Sequence, residues 1–386
     1  MKKKLVAVAV AGVLGAPLAA NAQTANVTLY GRLNITQEFV RGQTCAAANV
    51  PSGNNPCPRD AAGNQITTNQ TASRLSSNSS RFGLRGTESL GGGLNAIFQI
   101  ESSISGDAGG GTLAGRETFV GLQGGWGTFK IGNFLAPYDD IHPIFGNVPT
   151  LTTSILSTAA VWAQGPSAKN QGGFDARLGN SVRYDSPNIS GFTGSFQAST
   201  SENNIHGMVY SMGGFYNAGP IQAGLAYERN QKARGAGLTD DAISLAGGYN
   251  FGVVRVAGIY EKLKYDAGGG DLKRDFYGAS LTANLGPGQL YAFWGHANDG
   301  KGSAADGTVV GGLVKGSDTG VDQYEISYTY PLSKRTLTYI GYVRIDNDAN
   351  ARYTFNINPV NQSATTGGLA SEGKPQGIAA GIVHFF

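Results

Sequence analysis

The sequence predicts an all-β chain closed into an antiparallel β-barrel of about sixteen strands. Three observations carry this. Glycine supplies 59 of 386 residues and proline only 14, a mixture that weakens helix interiors and suits turns and close strand contacts. Segments of roughly ten residues repeat with a period of two, as strands do when one face is apolar and the other polar. The connections between these segments alternate in length, one short and the next long.

The elements follow in chain order. The start, "MKKKLVAVAVAGVLGAPLAANAQ", has three lysines, an apolar stretch from Leu5 to Leu18 and a small-x-small site at Ala20-Asn21-Ala22. It reads as a secretory signal peptide over residues 1–22, cleaved before Gln23. In "NVTLYGRLNI", Val27, Leu29, Gly31, Leu33 and Ile35 share one face, and Thr28, Tyr30, Arg32 and Asn34 the other. The same alternation returns from "RFGLRGTE" and "LNAIFQIESSI" through "DQYEISYTY" and "TLTYIGYVRID". Near Val209 to Phe215 its parity is ambiguous. The short connections are "SLGGG", "GGWG", "PNISG", "NAGP", "FG", "LGPG" and "PLSKR". The long ones cover about 41–73, 105–115, 135–179, 200–206, 231–240, 266–273, 299–320 and 347–376. An even strand count puts both chain ends on the short-turn side. The final run "GIAAGIVHFF" places Ile378, Ala380, Ile382, His384 and Phe386 on one face, as expected of a last strand that closes against the first.

After Gln23 no stretch is long and apolar enough for a spanning helix, yet a barrel with lipid outside and water within would hide its membrane face in the average. Hydrocarbon requires every backbone N–H and C=O to be paired internally, which a closed sheet achieves. A large soluble sandwich would also alternate, but it would need a Leu/Ile/Val core that this Gly/Ser/Asn-rich chain lacks. The expected fold is therefore a sixteen-stranded antiparallel transmembrane β-barrel. Removal of Lys2, Lys3 and Lys4 brings the 29 basic residues level with the 26 acidic ones. That balance argues against nucleic acid as a partner. Cys45 and Cys57, in the loop-like "CAAANVPSGNNPC", read as a local disulfide of an exported protein rather than a metal site or free thiols.

Parity sets Arg32, Arg81, Arg85, Lys130 and Arg183 on the inward face: Arg81 and Arg85 stand opposite Phe82 and Leu84, and Lys130 opposite Phe129 and Ile131. Arg116 is read as inward, opposite Phe119. The aromatics Tyr30, Trp126, Phe192, Tyr227, Tyr249, Tyr265 and Tyr291 fall near strand ends and fit an interfacial girdle, with plain packing the alternative. None of the four histidines sits in a nucleophile motif, and no phosphate loop, metal-spaced cluster or dinucleotide turn occurs. Neither an enzyme nor a cofactor is expected.

Taken together, "VTLYGRLN", "SSRFGLRGTESLGGGLNAIFQIE", "RETFVGLQGGWGTFKIGN" and the terminal "HFF" resemble the Gram-negative general porins, especially the Neisseria and Burkholderia/Bordetella type, across residues 23–386. The resemblance implies a homotrimer of barrels in the outer membrane, set among lipid and lipopolysaccharide. It implies long extracellular loops, the third folded into the lumen, and passage of small hydrophilic solutes and ions. It makes the end of the chain, His384 and Phe386, part of the signal read by the barrel assembly machinery, and "SGDAGGGTLAG" a loop that latches onto the next subunit. Leu135 to Gly179 matches the third loop. That loop carries "PIFG" where related porins have an acidic residue within Pro-x-Phe-Gly. Ile144 removes that carboxylate, so Asp139 and Asp140 would supply the acidic side of a constriction. Asn133 stands where the family often has a further arginine.

Opposed rows of fixed charge across a narrow aqueous passage make a transverse field that favours small ions and polar solutes. The expected function is diffusion through a channel with a mild anion preference. The plainer alternative is that these arginines only bridge Glu88, Glu101 or Asp185, and that the two aspartates are turn residues after Pro137. A substrate-selective porin, or a barrel serving as adhesin or hydrolase, are the rival functions.

Overall fold

The computed structural model describes residues 26–45, 59–146, 154–164, 173–200, 207–355, 358, 360 and 373–386. The expected signal peptide lies outside them. So do Cys57 and the side chain of Cys45, and with them the expected disulfide.

The strands are β1 (Asn26–Cys45), β2 (Thr67–Ser77), β3 (Arg81–Gly91), β4 (Leu94–Ser103), β5 (Thr118–Gly124), β6 (Gly127–Leu135), β7 (Arg177–Asp185), β8 (Phe192–Thr200), β9 (Met208–Ala218) and β10 (Ile221–Gln231). They continue as β11 (Thr239–Asn250), β12 (Val254–Asp266), β13 (Asp271–Leu285), β14 (Gly288–Ala297), β15 (Val309–Val310), β16 (Leu313–Val314), β17 (Val321–Pro331), β18 (Thr336–Asn347) and β19 (Gln376–Phe385). β15 and β16 make a small separate hairpin in a loop. β2 and β3 both pair with β1, each further barrel strand pairs antiparallel with the next, and β1 pairs with β19, so the sheet closes.

β2 and β3 together occupy one position in the wall, so the barrel has sixteen strands among the described residues. The break between them is a one-residue slip. β1 sets Ile35 opposite Ser77 but Arg32 opposite Arg81, and Ser79 takes a positive φ of 51°. An extra residue on one strand reverses its later parity. Even-numbered Arg74 and odd-numbered Arg81 therefore both face inward. The first long connection is shorter than expected, because β1 runs on to Cys45 and β2 starts at Thr67. These strands rise beyond the alternating segments into polar sequence, where period two gives no contrast.

Outward positions form an apolar belt, with Leu29, Val120, Leu225, Leu245, Ile340 and Ile382 between 49% and 61% exposed. A surface of this extent belongs in lipid. Trp126 stacks on Tyr184 at 6.3 Å, and Phe192 packs on Tyr216 at 4.6 Å. With Tyr227 and the 42%-exposed Tyr249, they occupy the expected girdle. Tyr30, Tyr265 and Tyr291 do not. Each turns inward, and their hydroxyls donate to the Glu101 carboxylate, the Gln164 carbonyl and the Phe145 carbonyl at 3.0, 2.8 and 2.8 Å. Glu101 stands on β4, and Tyr30 already shares the inward face of Arg32 by parity; the partners of Tyr265 and Tyr291 come from the loop inside the barrel, which strand parity cannot anticipate.

The core lies inside the barrel. The third long loop enters with 3-10 turns at Asp139–Ile141 and Thr158–Ala160 and a short helix α1 (His142–Phe145), as expected of a loop folded into the lumen. Tyr138, Ile141, Phe145, Ile155, Leu156 and Trp162 are fully buried. The last long loop also turns inward, burying Tyr353 and Phe355; nothing in the sequence pattern announced it. The ambiguous parity of β9 is explained here, since inward Val209 and Phe215 meet this packed loop instead of water.

Candidate functional site

The third loop is held against the wall by inward side chains. The Tyr138 hydroxyl donates to Glu261 at 2.8 Å and shares a 2.6 Å hydrogen bond with Ser244. Trp162 Nε1 donates to the same Ser244 at 3.1 Å. The Ala163 amide donates to Glu261 at 3.0 Å, and the Ile155 amide to Glu38 at 3.3 Å. Gln323 and Tyr291 donate to the loop carbonyls of Ser157 and Phe145, both at 2.8 Å. Ile144 packs into the gap over Gly224, where an added Cβ would lie 2.7 Å from its Cδ1. Its carbonyl accepts from Arg255. The residue standing in for the family's carboxylate is thus an anchor in the wall. These contacts fill the side of the lumen lined by β9 to β14 and β17 to β19 and reach as far as Glu38 on β1.

The other side, from β1 to β7, is charged. Arg81 and Arg116 both approach Glu101, at 3.5 and 2.6 Å. Lys130 pairs with Asp185 at 3.0 Å and lies 5.3 Å from the ring centres of both Phe119 and Phe134. Arg183 bridges Asp185 at 2.8 Å and Asp140 at 2.6 Å, and donates to the Leu135 carbonyl at 2.9 Å. Arg32 sits opposite Arg81 and donates to the Ser79 carbonyl at 3.1 Å, which places it at the break in the second wall position. Arg85 is set apart below them, its guanidinium 5.0 Å over the Tyr30 ring.

All six basic residues expected to face inward do so. Two details of that expectation are corrected. Phe119 faces inward as well, opposite Gln99, while Val120 and Leu122 face out. Arg116 precedes β5, so it reaches Glu101 from the loop and not by strand parity. Asp140, expected across the passage from the arginines, is bound to one of them. It follows β6 by only a few residues and cannot travel far from β7 beside it. Glu101 and Asp185 are partners, as the bridging alternative held, whereas Glu88 shares the outward side of Leu84. Asn133 Nδ2 donates to the Arg116 carbonyl at 2.8 Å and so braces the arginine from its own strand. Sequence reasoning missed Arg177, Arg255 and Arg274. Arg255 and Arg274 lie at inward positions that parity could have found, but Arg177 follows the long loop, where the pattern has lapsed.

Burial pushes the Asp139 carboxyl well above its usual range, helped by the charges of Asp175 and Asp140. Burial also raises Asp140, against the pull of Arg183. Asp175 is raised to about 7, again by burial. His142 is lowered to about 3 by burial and shares a 2.7 Å hydrogen bond with the Thr158 hydroxyl; it is neutral at any working pH.

At the seam, Phe386 exchanges two backbone hydrogen bonds with Gly31, at 3.0 and 3.1 Å. Its ring lies over that glycine, where a Cβ would come within 2.4 Å of the Phe386 Cζ. His384 faces outward, sharing a 2.9 Å hydrogen bond with Thr336.

The sequence pattern of Gram-negative porins matches residues 6–350. Outer membrane porin protein 32 of Delftia acidovorans is 29% identical over 401 residues, covering 100% of both chains. Major outer membrane protein P.IB of Neisseria meningitidis serogroup A is 32% identical over 245 residues, 60% of this chain and 61% of that one. Among solved structures, the anion-selective porin from Comamonas acidovorans superimposes with a TM-score of 0.70 at 25% identity, covering 94% of this chain and 100% of the other. With a closed sixteen-stranded wall, an apolar belt outside and charge within, the chain belongs to the Gram-negative porin family and is a diffusion channel of the bacterial outer membrane.

Proposed function

We propose that the channel conducts small hydrophilic solutes and ions along the charged side of its lumen, with Arg32, Arg81, Arg85, Arg116, Lys130 and Arg183 as the basic wall of the constriction and Asp139 and Asp140 as its acidic part, and that it prefers anions. One observation carries the preference. Arg32 and Arg85 have no carboxylate within ion-pair range among the described residues, while Asp140 is already matched by Arg183 and burial raises the carboxyls of Asp139 and Asp175. Fixed positive charge then exceeds fixed negative charge in a site of low dielectric. The relative from Comamonas acidovorans is an anion-selective porin, which supports the same sign.

The test is the reversal potential across a planar bilayer in a salt gradient. The expected sign is anionic, and Arg81→Gln with Arg116→Gln reduces the preference a few-fold by leaving Glu101 unbalanced. A cation preference in the unaltered channel overturns the reading.

The assembly we propose is a homotrimer, with the 81%-exposed Leu113 of the second long loop reaching toward the adjacent subunit. Lipopolysaccharide would meet the outer belt. Residues 1–22 would serve as the signal peptide, and His384 and Phe386 as the signal for the barrel assembly machinery.

A further inference from the structure

On the charged side of the lumen the inward rows of the wall are not polar throughout. Cross-strand register sets Thr28, Arg85, Gln99, Phe119 and Gly132 side by side in one row, and Thr87, Ile97, Gly121 and Lys130 in the next. Phe119 and Ile97 are only half-buried, on the side that the third loop leaves open. Two glycines give them room. A Cβ at Gly121 would lie 3.3 Å from Ile97 Cγ1, and one at Gly132 would lie 3.0 Å from Phe119 Cβ. Buried Phe134 packs edge-on against Phe119 at 6.2 Å, and the Lys130 ammonium lies 5.3 Å from both ring centres. The Phe119 ring is thus held in place while part of it, with part of Ile97, is turned to the water of the passage. Apolar surface wetted in this way gains free energy when a solute covers it.

Beside this shelf stands a cation whose charge is unmatched. The Arg85 guanidinium is exposed, lies 5.0 Å over the Tyr30 ring and has no carboxylate within ion-pair range among the described residues. Stacking on a ring leaves the in-plane N–H donors of a guanidinium free, and their fork matches a carboxylate. Half-buried Gln99 stands between Arg85 and Phe119, one strand from each. Neighbouring strands are about 4.8 Å apart, so the backbones of Arg85 and Phe119 are about 10 Å apart. One row of the wall therefore presents a forked donor, a side-chain amide and an aromatic surface in sequence. Chloride can use only the first.

We propose that Arg85, Gln99, Phe119 and Ile97 form a subsite for aromatic monocarboxylates, the carboxylate on Arg85 and the Gln99 amide and the ring on Phe119 and Ile97. The subsite rests on the open passage proposed above and goes beyond its anion preference, because charge alone does not separate an aromatic anion from an aliphatic one. An aliphatic carboxylate of the same charge leaves the phenyl surface wet. A neutral ring leaves the guanidinium unmatched.

The test is the chloride conductance of the full chain in a planar bilayer with benzoate, acetate or benzamide added. Benzoate is expected to halve the current at a concentration about tenfold below that required of acetate or benzamide. Phe119→Ala should raise the half-blocking concentration of benzoate about three- to tenfold and leave that of acetate unchanged; a merely structural role of the ring would move both alike. Arg85→Gln should remove the advantage of benzoate over benzamide. Leu245→Ala, outward on β11, should alter none of these. Equal block by benzoate and acetate in the unaltered channel, or a benzoate-to-acetate ratio unmoved by Phe119→Ala, overturns the subsite. If Phe119→Ala fails to fold, Phe119→Leu, which keeps apolar bulk without a ring, decides by the same ratio. Failure of the channel reading shows separately as absent conductance, and saturation-transfer NMR of benzoate against acetate on the detergent-solubilised chain then reads the subsite. A cation preference in potassium chloride alone overturns the anion reading and leaves the benzoate-to-acetate ratio as it is.

Discussion

Arg274 and Arg183 both point inward from barrel strands, and each holds a carboxylate below 3 Å, Glu261 at 2.7 Å and Asp140 at 2.6 Å. The first pair keeps 1% and 0% of its side chains exposed, the second 10% and 34%. Arg274 is enclosed by Glu261, Phe276 and Tyr353, beneath two loops that fill the β9 to β17 side of the lumen. Arg183 stands on the side those loops leave charged. Alternation of the strands decides only that a residue avoids lipid. The infolded loops decide whether it meets protein or solvent, and so whether its charge braces the fold or is available to a passing ion.

The largest expected effect tests this contrast. Arg274→Ala leaves the Glu261 carboxylate buried without its cation and should cost about 3–5 kcal/mol. Arg183→Ala breaks ion pairs whose aspartates stay 34% and 28% exposed and should cost less, about 1–3 kcal/mol. Guanidinium unfolding of both variants followed by tryptophan fluorescence would erase the distinction if the two losses were equal. Next in size, Tyr138→Phe removes the hydroxyl that docks the third loop on Glu261 and Ser244. It should cost about 1–3 kcal/mol and appear in single-channel recordings as new flicker, because the loop loses a wall contact. Unchanged stability would mean that the loop is held by its apolar side chains alone.

The smallest effect sharpens the charged side. The Asp175 carboxyl, raised to about 7 in the folded chain, takes up a proton as pH falls from 8 to 6, removing negative charge from the lumen. The anion preference should therefore grow over that interval, and Asp175→Asn should abolish the change. Because this folded-state value lies above the unfolded one of about 4, the folded state holds the extra proton between them. Stability should therefore fall as pH rises from about 4 to about 7 and then level off. The Asn variant should be flatter. A reversal potential independent of pH in the unaltered channel would remove Asp175 from the conduction path.

Much of the wall was legible in the sequence, because period two, turn glycines and loop lengths are local properties. Arg81, Arg85, Lys130 and Arg183 were placed correctly by their strand neighbours. What was illegible depends on distant contacts. Tyr265 and Tyr291 look like girdle residues until the third loop arrives to accept their hydroxyls. Phe215 spoils the parity of β9 because it packs against that loop. Asp140 looks free to cross the lumen, but its short tether to β6 brings it to Arg183. Arg116 was assigned to the correct side through the wrong phase, since β5 starts two residues later.

The two hydrogen bonds between Gly31 and Phe386 belong to the seam that joins β1 to β19. Until β19 has been synthesised, both margins of the sheet carry rows of unmet amide donors and carbonyl acceptors, which lipid cannot satisfy. No shortened nascent form can therefore rest in the bilayer as a smaller pore. The chain must be kept from the membrane interior, or have its open margins shielded, until β19 is free to meet β1.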